Sequence, residues 1–181
     1  MKQFLLGLAA FLGLLKPTPT PPLATNTTNL PLTLAPGFSI SIYATNLDNP
    51  RDLHPGTKGE ILVSLPQAGK VMAIISGQNR TVLKNLNLPH GLAVNQDRLY
   101  VAETNRVSEY DYDTTTYTAK FIRKLTDLPA GGGHFTRSLL LVDNRTMLVS
   151  VGSSCNVCVE SDSRRAAILT IDLPSSEIAS F

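Results

Sequence analysis

The sequence lacks three features, and each absence excludes a class of protein. Charged residues make up 17% of the 181 residues and the net charge is +2, without a basic run interleaved with aromatics, so the sequence does not predict nucleic-acid binding. No apolar run approaches the roughly 20 residues that span a bilayer. No stretch after the N-terminus has the length and spacing of an amphipathic helix. With 43% hydrophobic residues and modest charge, the composition indicates a globular rather than a disordered chain.

The N-terminus has the composition of an export signal. Lys2 precedes an apolar run over residues 4–15, which ends at Lys16 and Pro17. A short basic start with an apolar core of this length predicts a secretory signal peptide over residues 1–24, and an uncleaved shallow anchor is the alternative. Residues 25–36, rich in Pro, Thr and Asn, are predicted to be a linker, and residues 37–181 the folded domain. We therefore expect export to the periplasm or the cell exterior.

The folded region alternates short apolar runs with turn residues, which predicts an all-β fold. Most runs are rich in β-branched or aromatic residues and are bounded by Gly, Asn, Asp or Pro. The predicted strands cover residues 38–42, 61–65, 71–75, 81–86, 99–102, 107–110, 117–125, 138–142, 147–151 and 167–173.

A weak internal repeat refines this prediction. Leu-Pro or Asn-Pro pairs that end at Pro50, Pro89 and Pro129 recur about every 40 residues, a period typical of propeller blades with four strands. About three blades fit into residues 37–181, whereas a propeller usually needs roughly four to eight. We therefore expect a partial β-propeller cut from a larger protein, with an exposed edge strand and no turnover by itself. A self-sufficient small β-sandwich is the competing interpretation.

The most informative stretch is a glycine loop followed by two polar residues. Three glycines at 131–133 permit a close backbone approach, and His134 and Arg137 follow them. A histidine exchanges protons near neutral pH and an arginine binds oxyanions, so the pair predicts a site in the propeller's central funnel. A glycine turn with one surface histidine is the alternative. His90, in the preceding blade, is predicted to converge on the same channel or else to be a structural turn residue.

A second stretch carries Cys155 and Cys158. Because no second cysteine pair or histidine pair lies nearby and export is predicted, a disulfide is expected, with a reactive or metal-binding pair as the alternative. Glu160 and Asp162 follow. Their oxygens suit a hard cation such as calcium, but a solvated polar face formed with the neighbouring arginines is the preferred interpretation.

Three motifs together resemble the glucose/sorbosone dehydrogenase family. They are Gly-Gly-Gly-His-Phe-Thr-Arg-Ser-Leu at 131–139, Val-Ser-Val-Gly-Ser-Ser-Cys-Asn-Val-Cys-Val-Glu at 149–160 and Arg-Arg-Ala-Ala-Ile at 164–168. Leu-Pro-His-Gly-Leu-Ala-Val at 88–94 and the run at 99–107 resemble the family's preceding blade. The resemblance covers roughly residues 38–173. It implies a partial six-bladed propeller and oxidation of a sugar or sugar aldehyde by hydride transfer to pyrroloquinoline quinone, with calcium, a sugar substrate and an electron acceptor.

The resemblance also implies roles for single residues. His134 is the expected general base, and Arg137 and His90 are the expected cofactor-binding residues. Ser153 stands where many members have an aspartate that faces the catalytic histidine, and a serine supplies no negative charge to an imidazolium. The family's calcium ligands and most quinone contacts come from later blades, so no metal ligand is predicted here.

Two other functions remain open at this point. One is a non-catalytic exported propeller that binds carbohydrate or protein, because propellers host many functions. The other is a calcium-dependent lactonase-type propeller, which needs several acidic and amide residues in the channel.

Overall fold

A computed structural model describes residues 22–174 and 177–180, and the regular elements within them are strands. The predicted signal peptide lies almost entirely outside these residues. Nowhere in the described part does a helix occur that is long and apolar enough to cross a membrane. The chain forms two compact units, Met1–Ile42 and Tyr43–Phe181, and the second contains the sheets that matter for function.

The described part of the first unit, residues 22–42, holds one small sheet. Strand β1 (Thr25–Asn26) pairs in parallel with β2 (Ser39–Ile40), so that Thr25 lies opposite Ser39. The side-chain amide of Asn26 donates to the carbonyl oxygens of Leu30 and Leu32 at 2.9 and 3.2 Å, which fixes a turn after β1. Part of the segment predicted as a linker is therefore hydrogen-bonded.

The second unit contains three four-stranded antiparallel sheets, formed one after another along the chain. The first sheet consists of β3 (Leu53–Pro55), β4 (Ile61–Leu65), β5 (Lys70–Ile75) and β6 (Gln78–Leu83). The second consists of β7 (Leu92–Asn95), β8 (Arg98–Glu103), β9 (Arg106–Asp113) and β10 (Thr118–Asp127). The third consists of β11 (Leu139–Leu141), β12 (Thr146–Val151), β13 (Ala167–Asp172) and β14 (Ile178–Ser180). Serial four-stranded meanders are the repeating unit of β-propellers, and the three sheets do not close into a ring.

The second sheet is buried on both faces because its strands alternate between two cores. On β8, Leu99 and Val101 pack in a cluster with Leu62 and Val71 of the first sheet. The intervening Tyr100 and Ala102 pack in a second cluster with residues of the third sheet. Successive side chains of a strand point to opposite faces, so one apolar strand supplies both cores. This alternation stacks the three sheets face to face.

A buried polar contact also joins the first and second sheets. Glu60, only 1% exposed, accepts a hydrogen bond at 3.1 Å from the phenol of Tyr112 and one at 2.9 Å from the backbone N–H of Lys58. Burial, followed by the adjacent Glu60 carboxylate, raises the pKa of Tyr112 well above its ordinary value. The phenol therefore remains a hydrogen-bond donor at any ordinary pH.

Candidate functional site

The loops that lead into the first strand of each sheet meet at one place. Arg51, His90 and Arg137 each lie two residues before such a strand, at β3, β7 and β11. They are joined in series: Arg51 Nε donates to His90 Nε2 at 3.1 Å, and His90 Nδ1 lies 3.0 Å from the carbonyl oxygen of Arg137. The repeat therefore places equivalent residues of three sheets in one hydrogen-bonded row.

The two contacts of His90 determine its protonation. A carbonyl oxygen only accepts, so Nδ1 carries the hydrogen and Nε2 accepts from Arg51. Burial lowers the pKa of His90, and the carbonyl of Arg137 and the Asp52 carboxylate only partly offset this effect. His90 is thus held as a neutral imidazole with both ring nitrogens occupied.

Close backbone approach explains the glycine that follows His90. A Cβ on Gly91 would collide with the Arg137 carbonyl oxygen and lie 2.8 Å from the backbone nitrogen of Leu139. On the other side, the Asp52 carboxylate accepts a hydrogen bond at 2.9 Å from the backbone N–H of Leu92. The glycine and the carboxylate together hold the three loops against one another.

Both histidines line one cavity of about 520 Å³. Its polar lining residues are Asn49, Arg51, Gln67, His90, His134 and Thr136. The structure therefore brings together two of the three predicted site residues. Whether they bind a cofactor or catalyse a reaction stays a prediction.

The glycine loop holds His134 against the cysteine loop. Gly132 adopts a φ of +85°, and a Cβ there would lie 2.7 Å from Ser154 Cα, so only glycine fits. The backbone N–H of Gly133 donates to the Ser154 carbonyl oxygen at 2.9 Å. At the tip of the loop, His134 is exposed to the cavity and its Nε2 lies 2.8 Å from Oδ1 of Asn156.

Arg137 lies behind the loop rather than in the cavity. Its side chain is fully buried, and its guanidinium donates to the carbonyl oxygens of Pro129, His134 and Thr136 at 2.9 to 3.0 Å. Burial lowers the pKa of this guanidinium, and nearby Arg165 lowers it further. The Arg137 side chain therefore holds the backbone of the glycine loop in place. Its contact with a cofactor stays a prediction.

The cysteine loop is closed by a disulfide between Cys155 and Cys158. The Glu160 carboxylate accepts hydrogen bonds from the backbone and the hydroxyl of Ser154, the latter at 2.9 Å. Ser153 donates its hydroxyl to the carbonyl oxygen of Cys155 at 2.8 Å. The contact with His134 is therefore made by Asn156, three positions after the residue that the resemblance singled out.

The acidic residues after the disulfide belong to local structure. Asp162 accepts hydrogen bonds from the guanidinium and backbone N–H of Arg164, and these bonds lower the pKa of Asp162 to about 2. Among the residues that the structure describes, no three His, Cys, Asp or Glu side chains cluster as a metal site would require. Asp162 thus pairs with Arg164, whereas Glu160 bonds to Ser154.

Sequence reasoning did not single out two residues of the site, Arg51 and Asn156. Arg51 could have been found from the repeat, since Pro50-Arg51-Asp52-Leu53 aligns with Pro89-His90-Gly91-Leu92. Asn156 lies inside the motif at 149–160, but its contact with His134 spans 22 residues and has no local signal.

Serial four-stranded sheets whose leading loops carry His and Arg side chains to a shared cavity define a propeller-type protein. Comparison with known families then shows to which family within this class the chain belongs. The TrAA12-like family matches residues 32–177, and the chain belongs to this family. This family match confirms the resemblance to the glucose/sorbosone dehydrogenases, and the solved structures that share the fold include sugar dehydrogenases with pyrroloquinoline quinone.

Three solved structures illustrate the similarity. The holo pyranose dehydrogenase PQQ domain of Coprinopsis cinerea is 22% identical with a TM-score of 0.73, over 84% of this chain and 41% of that one. The Trichoderma reesei carbohydrate-active enzyme of family AA12 is 27% identical with a TM-score of 0.64, over 72% and 37%. The PQQ-bound aldose sugar dehydrogenase of Streptomyces coelicolor is 15% identical with a TM-score of 0.61, over 75% and 48%.

The chain thus spans between 37% and 48% of the length of these structures. No curated protein matches the chain. Homology to quinone-dependent sugar oxidoreductases is established by the family match.

Proposed function

We propose that this chain forms the part of a pyrroloquinoline quinone-dependent sugar or sugar-aldehyde dehydrogenase that carries the general base. The observation that carries the proposal is the position of His134. It faces the same cavity as Arg51 and His90, at the end of the sheets where three loops meet. The family match supports oxidation of a sugar by a quinone.

In this proposal His134 accepts the proton of the sugar hydroxyl that is oxidised. A histidine suits the task because its ordinary pKa of about 6.5 lets it exchange protons near neutral pH. The bound quinone supplies the acceptor for the two electrons that the sugar loses. Arg137 contributes by holding the carbonyl oxygen of His134, 3.0 Å from its Nη1 atom, so that the base keeps its position.

The cavity fits a polyanionic quinone better than a neutral ligand. Pyrroloquinoline quinone carries three carboxyl groups, and Arg51 offers a planar cationic donor to such groups. The Nε of Arg51 donates to His90, and its terminal Nη groups have no protein partner among the described residues. The amides of Asn49 and Gln67 add neutral donors beside it. We therefore propose that Arg51, which is hydrogen-bonded to His90, binds the cofactor. We assign no calcium ligand to this chain.

Two further parts of the proposal concern architecture and location. The three sheets correspond to three blades of a six-bladed propeller, in line with a chain that covers less than half of the three solved structures named above. The protein is exported, which the disulfide between Cys155 and Cys158 supports because such bonds persist in oxidising compartments.

A substrate panel tests the proposal. The protein encoded by the complete gene is supplied with pyrroloquinoline quinone and calcium, and reduction of an artificial electron acceptor is followed with aldoses, pyranoses and sorbosone. We expect quinone binding and dye reduction with at least one of these sugars. If the protein binds no quinone and oxidises none of them, the proposal fails, and a non-catalytic carbohydrate-binding propeller becomes the better account.

A further inference from the structure

The contact between His134 and Asn156 determines which ring nitrogen of the histidine is basic. Nε2 of His134 lies 2.8 Å from Oδ1 of Asn156. An amide oxygen accepts hydrogen bonds and does not donate them, so Nε2 must carry the hydrogen of the neutral ring. The lone pair is then on Nδ1.

We infer that Asn156 is the positioning residue of the site, which fixes His134 in its Nε2–H tautomer and leaves Nδ1 as the atom that accepts the substrate proton. The role of Nδ1 as base rests on the proposed function. The tautomer rests only on the geometry, so the two can be tested separately.

The cysteine loop is built to hold Asn156 in place. The disulfide between Cys155 and Cys158 encloses it, and Glu160 closes the other side of the loop on Ser154. The same loop leaves the apolar side chain of Val157 95% exposed. Burial of apolar surface therefore does not determine the conformation of this loop; the covalent bond and the polar contacts do.

The partner of His134 is also neutral. A carboxylate at hydrogen-bond distance stabilises the imidazolium and raises the histidine pKa, whereas an amide oxygen supplies no full negative charge. Ser153 bonds to the carbonyl of Cys155 and does not replace the missing charge. Asn156 therefore orients His134 without adding a charge to the site.

His90 provides an internal reference, because its contacts require the opposite tautomer. Its Nδ1 donates to the Arg137 carbonyl oxygen, and its Nε2 accepts from Arg51. One cavity thus contains two histidines whose neutral rings carry the hydrogen on different nitrogens, a difference that nitrogen chemical shifts report directly.

Nuclear magnetic resonance on the ¹⁵N-labelled full chain tests the inference without cofactor or substrate. Long-range proton–nitrogen spectra are recorded well above the ordinary histidine pKa of about 6.5, with assignments from single histidine substitutions. We expect Nε2–H for His134 and Nδ1–H for His90. An Nδ1–H tautomer at His134 in the unmodified chain overturns the inference, whatever the variants do.

Two variants and a control complete the test. In Asn156→Ala, His134 loses its partner and should move to a mixture of tautomers. In Asn156→Asp, the acceptor is kept and a charge is added, so His134 should stay Nε2–H with a raised pKa. Asn144→Ala, at an exposed turn, is the matched control and should leave the His134 signals unchanged. An unaltered tautomer in Asn156→Ala, or an unaltered His134 pKa in Asn156→Asp, overturns the inference.

A failure of the proposed function would give a different set of results from a failure of this inference. If the tautomer and its dependence on Asn156 are observed but the complete protein oxidises no sugar, the positioning contact stands and the catalytic role of Nδ1 falls.

Discussion

The carbonyl oxygen of Arg137 accepts a hydrogen bond from Nδ1 of His90, 3.0 Å away, across the boundary between the second and third sheets. The bond forms because Gly91 has no side chain to separate the two backbones. It couples the charge state of a buried histidine to the packing of the sheets. A dependence of stability on pH follows from this coupling.

Removal of His90 should flatten the pH dependence of folding. Burial lowers the pKa of His90 in the folded protein below its ordinary value of 6.5. As the pH falls below about 6.5, His90 binds a proton in the unfolded chain before it does so in the folded chain. The contribution of neutral His90 to stability is therefore complete above this pH and is lost as the pH falls towards the pKa of the folded protein. Urea unfolding between neutral and mildly acidic pH should show a smaller slope for His90→Gln. His54→Gln, which removes a histidine that contacts the carbonyl of adjacent Pro55, is the matched control. An equal slope in His90→Gln and the unmodified protein would contradict this explanation.

Two adjacent glycines should respond very differently to alanine. Gly132 has a φ of +85°, and a Cβ there would lie 2.7 Å from Ser154 Cα, whereas the nearest atom to a Cβ on Gly133 is 3.9 Å away. Gly132→Ala should therefore destabilise the loop by about 1–3 kcal/mol through strain and overpacking. Gly133→Ala serves as the control and should cost much less. Thermal unfolding of the two variants measures the difference, and equal losses would show that the glycine loop does not lie on the cysteine loop.

Arg137 should matter for stability even when no cofactor is present. Arg137→Met keeps much of the apolar volume but removes the donor to three carbonyl oxygens. Hydrogen bonds from a charged group contribute roughly 1.5–3 kcal/mol each, so we expect a loss of about 3 kcal/mol or more. Arg145→Met, at a side chain that is 73% exposed, controls for the loss of a positive charge. Wild-type stability combined with lost quinone binding in Arg137→Met would instead favour a direct contact with the cofactor.

The buried pair of Glu60 and Tyr112 should stabilise the contact between the first two sheets. Tyr112→Phe removes the phenol that donates to the Glu60 carboxylate at 3.1 Å and leaves one oxygen of a buried charge without that donor. We expect the free energy of unfolding to fall by about 1.5–3 kcal/mol. Tyr43→Phe, at an exposed position, removes the same hydroxyl as a control. A loss for Tyr112→Phe no larger than for Tyr43→Phe would mean that the buried hydrogen bond contributes nothing.

The sheets could be predicted from sequence where period-two alternation is strong. β4 was predicted over residues 61–65, as the structure has it, and β8 was predicted within one residue at each end. β3 and β7 were missed, because β3 has three residues and contains Pro55, and β7 directly follows a Pro-His-Gly turn. Both are strands because they pair with β4 and β8. Such pairing is tertiary and leaves little local signal.

The site, like the sheets, could be predicted only in part, because two of its contacts join residues that are far apart in the sequence. His134 and His90 stood out because histidines are rare in this sequence and follow turn residues. The structure places His90 at the position equivalent to Arg137 and not to His134, since the three glycines lengthen the third loop. The contacts of Arg51 and Asn156 span 39 and 22 residues, which local spacing does not reveal.

The central claim is that His134 is the general base of a quinone-dependent sugar oxidation. The most direct measurement is the turnover of the complete protein, loaded with pyrroloquinoline quinone and calcium, for wild type and His134→Gln on the same sugar. A positioned general base contributes roughly 10²–10⁴-fold, so His134→Gln should lower kcat by at least about 100-fold, while quinone binding and the His54→Gln control stay near wild type. A His134→Gln enzyme that turns over at the wild-type rate would contradict the account.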